Sequence, residues 1–292
     1  MFFVRRRREV CVRRPGAGRS GPWPALIVPR SGRAPLRSWQ DRVVRYQERA
    51  TPVAGTVLWR RSSDGAPGGT PIVPDGCVDL VWDGRRLFVA GPDTAVRWHQ
   101  GRAGTTYVGL RFSGGVGPAL LGVLANDVRD RTPNLYELWP AREVRVLSEQ
   151  VEAQPSAMLE SWALERAARH PVDPFGMRVL TLVHAGVPVA GMATRLDVST
   201  RQLHRRCLAT FGYGPRHLAR VLRFGRALEA IRAGEPLAHV AAVCRYADQA
   251  HLTREVRALA GTTPSALRCE PYTEPSVANR STGRPSGSKT TA

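Results

Sequence analysis

Two short runs near the end of the chain gather side chains suited to hydrogen bonding with an anionic polymer rich in base edges. The first is Ser199-Thr200-Arg201-Gln202, followed by His204 and Arg205. Its S-x-x-Q form is that of a capping box, in which the serine oxygen accepts the amide three residues on and the glutamine reaches back. With Leu203 turned to a core, Ser199, Thr200, Arg201, His204 and Arg205 crowd the outward N-terminal face of a helix. The second run holds Gln249, His251, Arg254 and Arg257, set largely away from the apolar spacing Leu252, Val256, Leu259. A glutamine can contact adenine through two hydrogen bonds, an arginine can contact guanine, and either arginine can instead hold a phosphate. Helices that lie in the major groove of DNA carry such residues in their first turns.

Other candidates are weaker. Asp75, Asp79, His99 and Arg111 could be polar groups inside a ligand cavity, although such residues more often form turns or solvated surface. Cys77 stands alone on a strand, where a cysteine is usually a small buried hydrophobe and only rarely a reactive thiol. The five cysteines (Cys11, Cys77, Cys207, Cys244, Cys269) are odd in number and lack a C-x-x-C pair. They predict neither a disulfide framework nor a zinc site and fit a reducing cytoplasm. No nucleophile–base pair and no cofactor signature is present, so no catalytic residue, metal or cofactor is expected.

The elements that must position the two runs are helical. Val189–Leu196, a turn at Asp197-Val198 and the helix opened by Ser199 make one helix-turn-helix unit. Leu237–Cys244, a turn at Arg245-Tyr246-Ala247 and the helix Asp248–Leu259 make a second. Between them Pro215–Arg232 reads as a linking helix, with Leu218, Val221, Leu222, Leu228 and Ile231 as its apolar stripe. Arg216, Arg220, Arg223 and Arg226 decorate its other faces and are expected to hold phosphates.

The first half reads differently. Thr56–Arg61, Cys77–Trp82, Arg86–Ala90 and Thr105–Phe112 are short β-rich runs, and Asp83-Gly84 signals a type I′ hairpin turn. In the last run Thr106, Val108, Leu110 and Phe112 share one face and Tyr107 and Arg111 the other, which predicts a half-buried strand. Trp59, Trp82 and Trp98 read as core or cavity walls. Gly117–Leu124 is a short apolar segment, and Leu135 to His170 carries helical spacing that Pro155 divides in two.

Charge follows the same division. The chain has 292 residues and a net charge of +19, with Lys289 its single lysine. Residues 51–173 hold 13 arginines against 14 acids, whereas residues 174–269 hold 14 against 5. Codon usage alone would not spare the middle, and a basic block behind a neutral one suits a polyanion-binding part joined to a sensing or dimerising part. Residues 1–50 are also basic, by 13 arginines to 3 acids. No apolar run is long enough to span a bilayer, so no membrane partner is expected.

The last third resembles the DNA-binding domain of the AraC family. The pieces stand in family order: the serine-led helix, Phe211-Gly212-Tyr213-Gly214-Pro215, Val240-Ala241, Tyr246 through Arg254, then Gly261-Thr262-Thr263-Pro264 with Arg268. The family's usual turn glycines are replaced by Asp197 and Arg245, and its usual serine cap by Ala247. Pro71 through Leu80, with Ala90-Gly91-Pro92 and Val108 through Phe112, resembles a sensor-like domain found ahead of such units, one with no ligand to carry over. The resemblance implies an α+β chain in four parts: a disordered basic extension at 1–42, a β-rich sensor or dimerisation domain with C-terminal helices at 43–170, an all-α DNA-binding domain at 174–269, and a disordered tail at 270–292. It implies a cytoplasmic, bacterial, sequence-specific transcription regulator with double-stranded DNA as partner. RNA polymerase, a small-molecule effector and a second copy of the chain are further candidate partners. The rival readings are a non-specific architectural DNA-binding protein and an enzyme domain targeted to DNA.

Overall fold

Alternation builds the first half of the chain. In the computed structural model, which describes residues 46–63 and 69–269, five strands form one antiparallel sheet in the order β1-β2-β7-β4-β5. They are β1 (Tyr46–Ala50), β2 (Thr56–Ser62), β4 (Val78–Trp82), β5 (Leu87–Ala90) and β7 (Thr106–Phe112). Two shorter strands, β3 (Thr70–Ile72) and β6 (Arg97–His99), pair with each other as a second sheet. The sequence expectations for 1–42 and 270–292 lie outside the described residues.

One face of the large sheet presents Leu58, Leu80, Val89, Val108, Leu110 and Phe112, in phase across four strands. Helices α1 (Val116–Leu121), α2 (Ala141–Ala153) and α3 (Pro155–Arg169) cover it, contributing Leu120, Val144, Val151 and Leu159 to the same core. The other face carries Trp59, Val81, Phe88 and Tyr107, which form a separate apolar cluster. Strand β7 is therefore buried along both faces and not half-buried as its alternation suggested. Its second face is closed in rather than wet. The hairpin between β4 and β5 also differs from expectation, because only Gly84 takes a positive φ there. A type I′ turn needs two such residues. Arg85 bears a Cβ, and the Asp83 carboxylate holds the turn by accepting from the amides of Arg85 and Arg86.

The second half is helical: α4 (Phe175–His184), α5 (Val189–Arg195), α6 (Thr200–Phe211), α7 (Pro215–Arg232), α8 (Leu237–Val243), α9 (Gln249–Ala260) and α10 (Pro264–Cys269). It holds two cores, and α7 serves both. Leu218, Val221 and Leu222 pack with α4, α5 and α6, whereas Phe224, Ala227, Leu228 and Ile231 pack with α8 and α9. Pro215 suits the first helical position of α7, where its missing N–H costs nothing.

The β-rich and helical parts meet at specific bonds. The Ala125 amide donates to the Ala209 carbonyl at 2.9 Å, and an Arg129 Nη donates to the Gly212 carbonyl at 3.0 Å. Tyr213, fully buried, donates its hydroxyl to the Asp93 carbonyl at 2.5 Å. Burial raises the Tyr213 phenol well above its ordinary range, so it remains a donor. A side chain at Gly212 would meet the Pro92 ring at 2.6 Å, which together with its φ of 73° restricts that position to glycine.

Candidate nucleic-acid interface and an adjoining cavity

Helix α6 is set by its cap. Ser199 accepts from the Gln202 amide at 3.1 Å, and Gln202 returns a bond by accepting from the Ser199 amide at 2.8 Å. Leu203 and Cys207 turn to the core, leaving Ser199, Thr200, Arg201, His204 and Arg205 exposed on α6. His204 lies over Gly214, whose hypothetical Cβ would fall 2.6 Å from the ring nitrogen Nε2. Arg206 is engaged inside the protein: it stacks on Phe175 at 3.8 Å and pairs with Asp173 at 2.6 Å.

Helix α9 is capped although Ala247 replaces the family's usual serine. Asp248 accepts from the His251 amide at 2.6 Å, one residue beyond the family's usual serine position, and the His251 ring nitrogen Nδ1 accepts from the Ala247 amide. His251 is thus half-buried, with its ring edge against Tyr246. Gln249, Arg254 and Arg257 are exposed, with Leu252, Val256 and Leu259 buried behind them. The structure places all nine candidate residues on α6, α9 or their caps. Both turns take the left-handed backbone that their non-glycine residues make strained, with φ of 54° at Asp197 and 59° at Arg245.

The linking helix corrects one expectation. Arg220 donates two bonds to Glu255 of α9, at 2.8 and 3.1 Å, and Arg223 lies 4.6 Å above the Tyr246 ring and 3.7 Å from the same carboxylate. Burial raises the Glu255 carboxyl, but the Arg220 bonds and both guanidinium charges outweigh it and hold its pKa below the ordinary value. These two arginines lock α7 to α9. Arg216 and Arg226 remain exposed.

In the β-rich part, the buried second face of the sheet and the β3–β6 pair line a cavity of about 320 Å³. It gathers all four polar residues singled out in the sequence: Asp75, Asp79, His99 and Arg111. Arg111 is 3% exposed and bonds Asp79 at 3.2 and 3.3 Å, with Asp75 at 3.5 Å. Cys77 lies in the wall, and burial and then Asp75 push its thiol well above the ordinary range, as suits an inert buried cysteine. Sequence reasoning missed Arg61, Asp93 and Arg97 in this site. Arg61 could have been found, since it alternates in phase with Trp59 on β2. Asp93 and Arg97 pair at 2.8 Å in a segment with no clear strand pattern. Among the described residues, no cluster of three or more His, Cys, Asp or Glu could hold a metal ion, and no helix is long and apolar enough to cross a membrane.

Tandem capped helices around a shared spine, with exposed polar first turns, define a class of DNA-binding transcription regulator. Residues 192–269 match the family described as a helix-turn-helix domain, and this part of the chain is of the AraC type. Residues 56–134, which hold four of the five strands of the large sheet, both strands of the small one and the residues lining the cavity, match a family described as a domain of unknown function, DUF6597. The comparison with curated proteins gives no match. Among solved structures, the chain is similar to ToxT from Vibrio cholerae O395 at 12% identity and a TM-score of 0.40, covering 77% of this chain and 98% of that one. ToxT from Vibrio cholerae strain SCE256 with bound unsaturated fatty acid gives 9% identity and a TM-score of 0.40, covering 80% and 98%.

Proposed function

We propose that the chain is a sequence-specific regulator whose helices α6 and α9 enter successive major grooves on one face of the duplex, about 34 Å apart. The observation that carries this reading is the duplicated, separately capped helix with an exposed polar first turn. Ser199, Thr200, Arg201, His204 and Arg205 serve the first groove; Gln249, His251, Arg254 and Arg257 serve the second. Within this set Arg201 and Gln249 read bases, because both stand exposed near the start of their helices and both can bond bidentately. His251 contributes chiefly by ordering its own helix start. Arg216 and Arg226 supply phosphate contacts, which makes the affinity strongly salt-dependent. The β-rich domain at 43–170 modulates the DNA-binding domain at 174–269. Two wall segments of the cavity support that assignment: Gly76 abuts Leu218 and Leu222 of α7, and Asp93 receives the Tyr213 hydroxyl.

Selection of binding sites from random duplexes tests the reading, using the full chain and its Arg201→Ala and Gln249→Ala variants. The expected result is an enriched site spanning two adjacent major grooves, with each substitution relaxing a different half. Affinity for that site should exceed affinity for random duplex by roughly 10³-fold or more and should fall steeply with added salt. Uniform affinity on every duplex would establish the architectural rival instead.

A further inference from the structure

The cavity contains three arginines, and their surroundings differ. Arg111 is bonded to Asp79 and Asp75, and Arg97 to Asp93. Arg61, only 4% exposed, has no ion-pair partner among the described residues, and its Nε is buried without a hydrogen bond. Its guanidinium lies over the Tyr107 ring, whose centroid is 5.5 Å from the guanidinium carbon. Arginine does not lose its proton in proteins, so this is a buried positive charge with no counter-ion among the described residues. Such a charge is strongly unfavourable unless something neutralises it. A second buried donor stands beside it in the sequence alternation: Trp59 Nε1, also without an acceptor. Neither group can accept a hydrogen bond. The missing partner is therefore an acceptor carrying negative charge.

The rest of the cavity indicates what is attached to that charge. Register pairs Arg61 with Tyr107 and Trp59 with Gly109, while Arg111 lies four residues beyond Tyr107 on β7. Four residues of strand span about 13 Å, so the lone cation and the Arg111–Asp79 pair occupy opposite ends. Between them lie the indole of Trp59, Val81 and Phe88. Gly109 makes room for that indole, since a Cβ there would fall 2.5 Å from Trp59 Cζ2. A flat apolar body fits the middle, and at the far end the cation is already neutralised by its own carboxylates.

We propose that this cavity binds a small organic carboxylate with a planar hydrocarbon body, its carboxylate held by the Arg61 guanidinium and the Trp59 N–H. The guanidinium fork matches a carboxylate through two parallel bonds, which an ammonium cannot reproduce. This deepens the reading of the β-rich part as the modulating half and depends on that reading only for its regulatory consequence. Binding itself requires no DNA.

Thermal melting of the full chain, with tryptophan fluorescence as second readout, tests this on benzoate, trans-cinnamate, indole-3-acetate and the amide of each. At least one carboxylate should raise the melting temperature saturably and alter the fluorescence, while its amide binds at least tenfold more weakly. Arg61→Gln should melt at or above the wild-type temperature without probe, because a buried lone charge is removed, and should lose the carboxylate shift. Arg61→Lys keeps the charge without the fork and should bind between the two. Equal shifts from acid and amide, undiminished carboxylate binding by Arg61→Gln, or no shift from any of the three acids would each overturn the proposal. The acid–amide comparison on wild-type protein stands even where a variant fails to fold. Site selection on random duplexes is read without any probe, so failure of the ligand assignment and failure of the DNA-binding reading are separable.

Discussion

Arg245 holds a conformation that its side chain makes costly. In the left-handed region an L-residue with a Cβ loses roughly 1–2 kcal/mol, part of which glycine gives back through the entropy of the unfolded chain. Arg245→Gly should therefore stabilise the protein by up to about 1 kcal/mol, seen as a higher denaturant midpoint with unchanged slope. Asp93 is strained electrostatically. Burial raises its carboxyl to about 6, against the opposing effect of Arg97 and with small upward contributions from Asp75 and Asp130. A raised acid favours the folded state while protonated, so its contribution is full below about pH 4 and is lost as pH rises through about 6. The difference is on the order of 3 kcal/mol. Melting between pH 4 and 7 should show stability falling along this limb, and Asp93→Asn, which cannot ionise, should flatten it.

At the scale of elements, α7 is the member whose loss of contact would matter most, since both helical cores are built on it. Glu255→Gln weakens the tie between α7 and α9 and leaves Arg220 and Arg223 without their carboxylate. It should cost about 2 kcal/mol and loosen α9, so chemical denaturation and operator titration should both register it. This helix was fully legible in the sequence, with the bounds Pro215 and Arg232 marked by a helix-initiating proline and a continuous apolar stripe. Helix α4 was not, although Phe175, Val179, Leu180 and Val183 carry its spacing, because Pro171 and Pro174 directly before it interrupt the helical pattern. Strands β3 and β6 were invisible for a physical reason: at three residues each, they are too short for alternation to register. The second cap was misjudged because a capping aspartate one position along replaces the serine without changing the helix. The candidate base-reading residues could be named from spacing and outward placement alone. The engagement of Arg220, Arg223 and Arg206 inside the protein could not, because which arginine finds a carboxylate depends on elements distant in sequence.

For the molecule as a whole, the junction between sheet and helices is polar as well as apolar. Tyr213→Phe removes one buried hydroxyl and leaves the Asp93 carbonyl without that donor. It should lower stability by about 1–2 kcal/mol without touching any residue proposed to meet DNA. If the β-rich part modulates DNA binding through this contact, the same substitution should also shrink the change in operator affinity caused by a carboxylate probe, as measured by titration with and without the probe. The wall segments at Gly76 and Asp93 are at once part of the cavity and part of the seat for α7 and Tyr213. Equilibrium then imposes a symmetry on them. Whatever factor an occupant of the cavity applies to the hold on an operator, the operator must apply to the hold on that occupant. A regulator built this way would retain its signal molecule more or less tightly according to the promoter on which it sits.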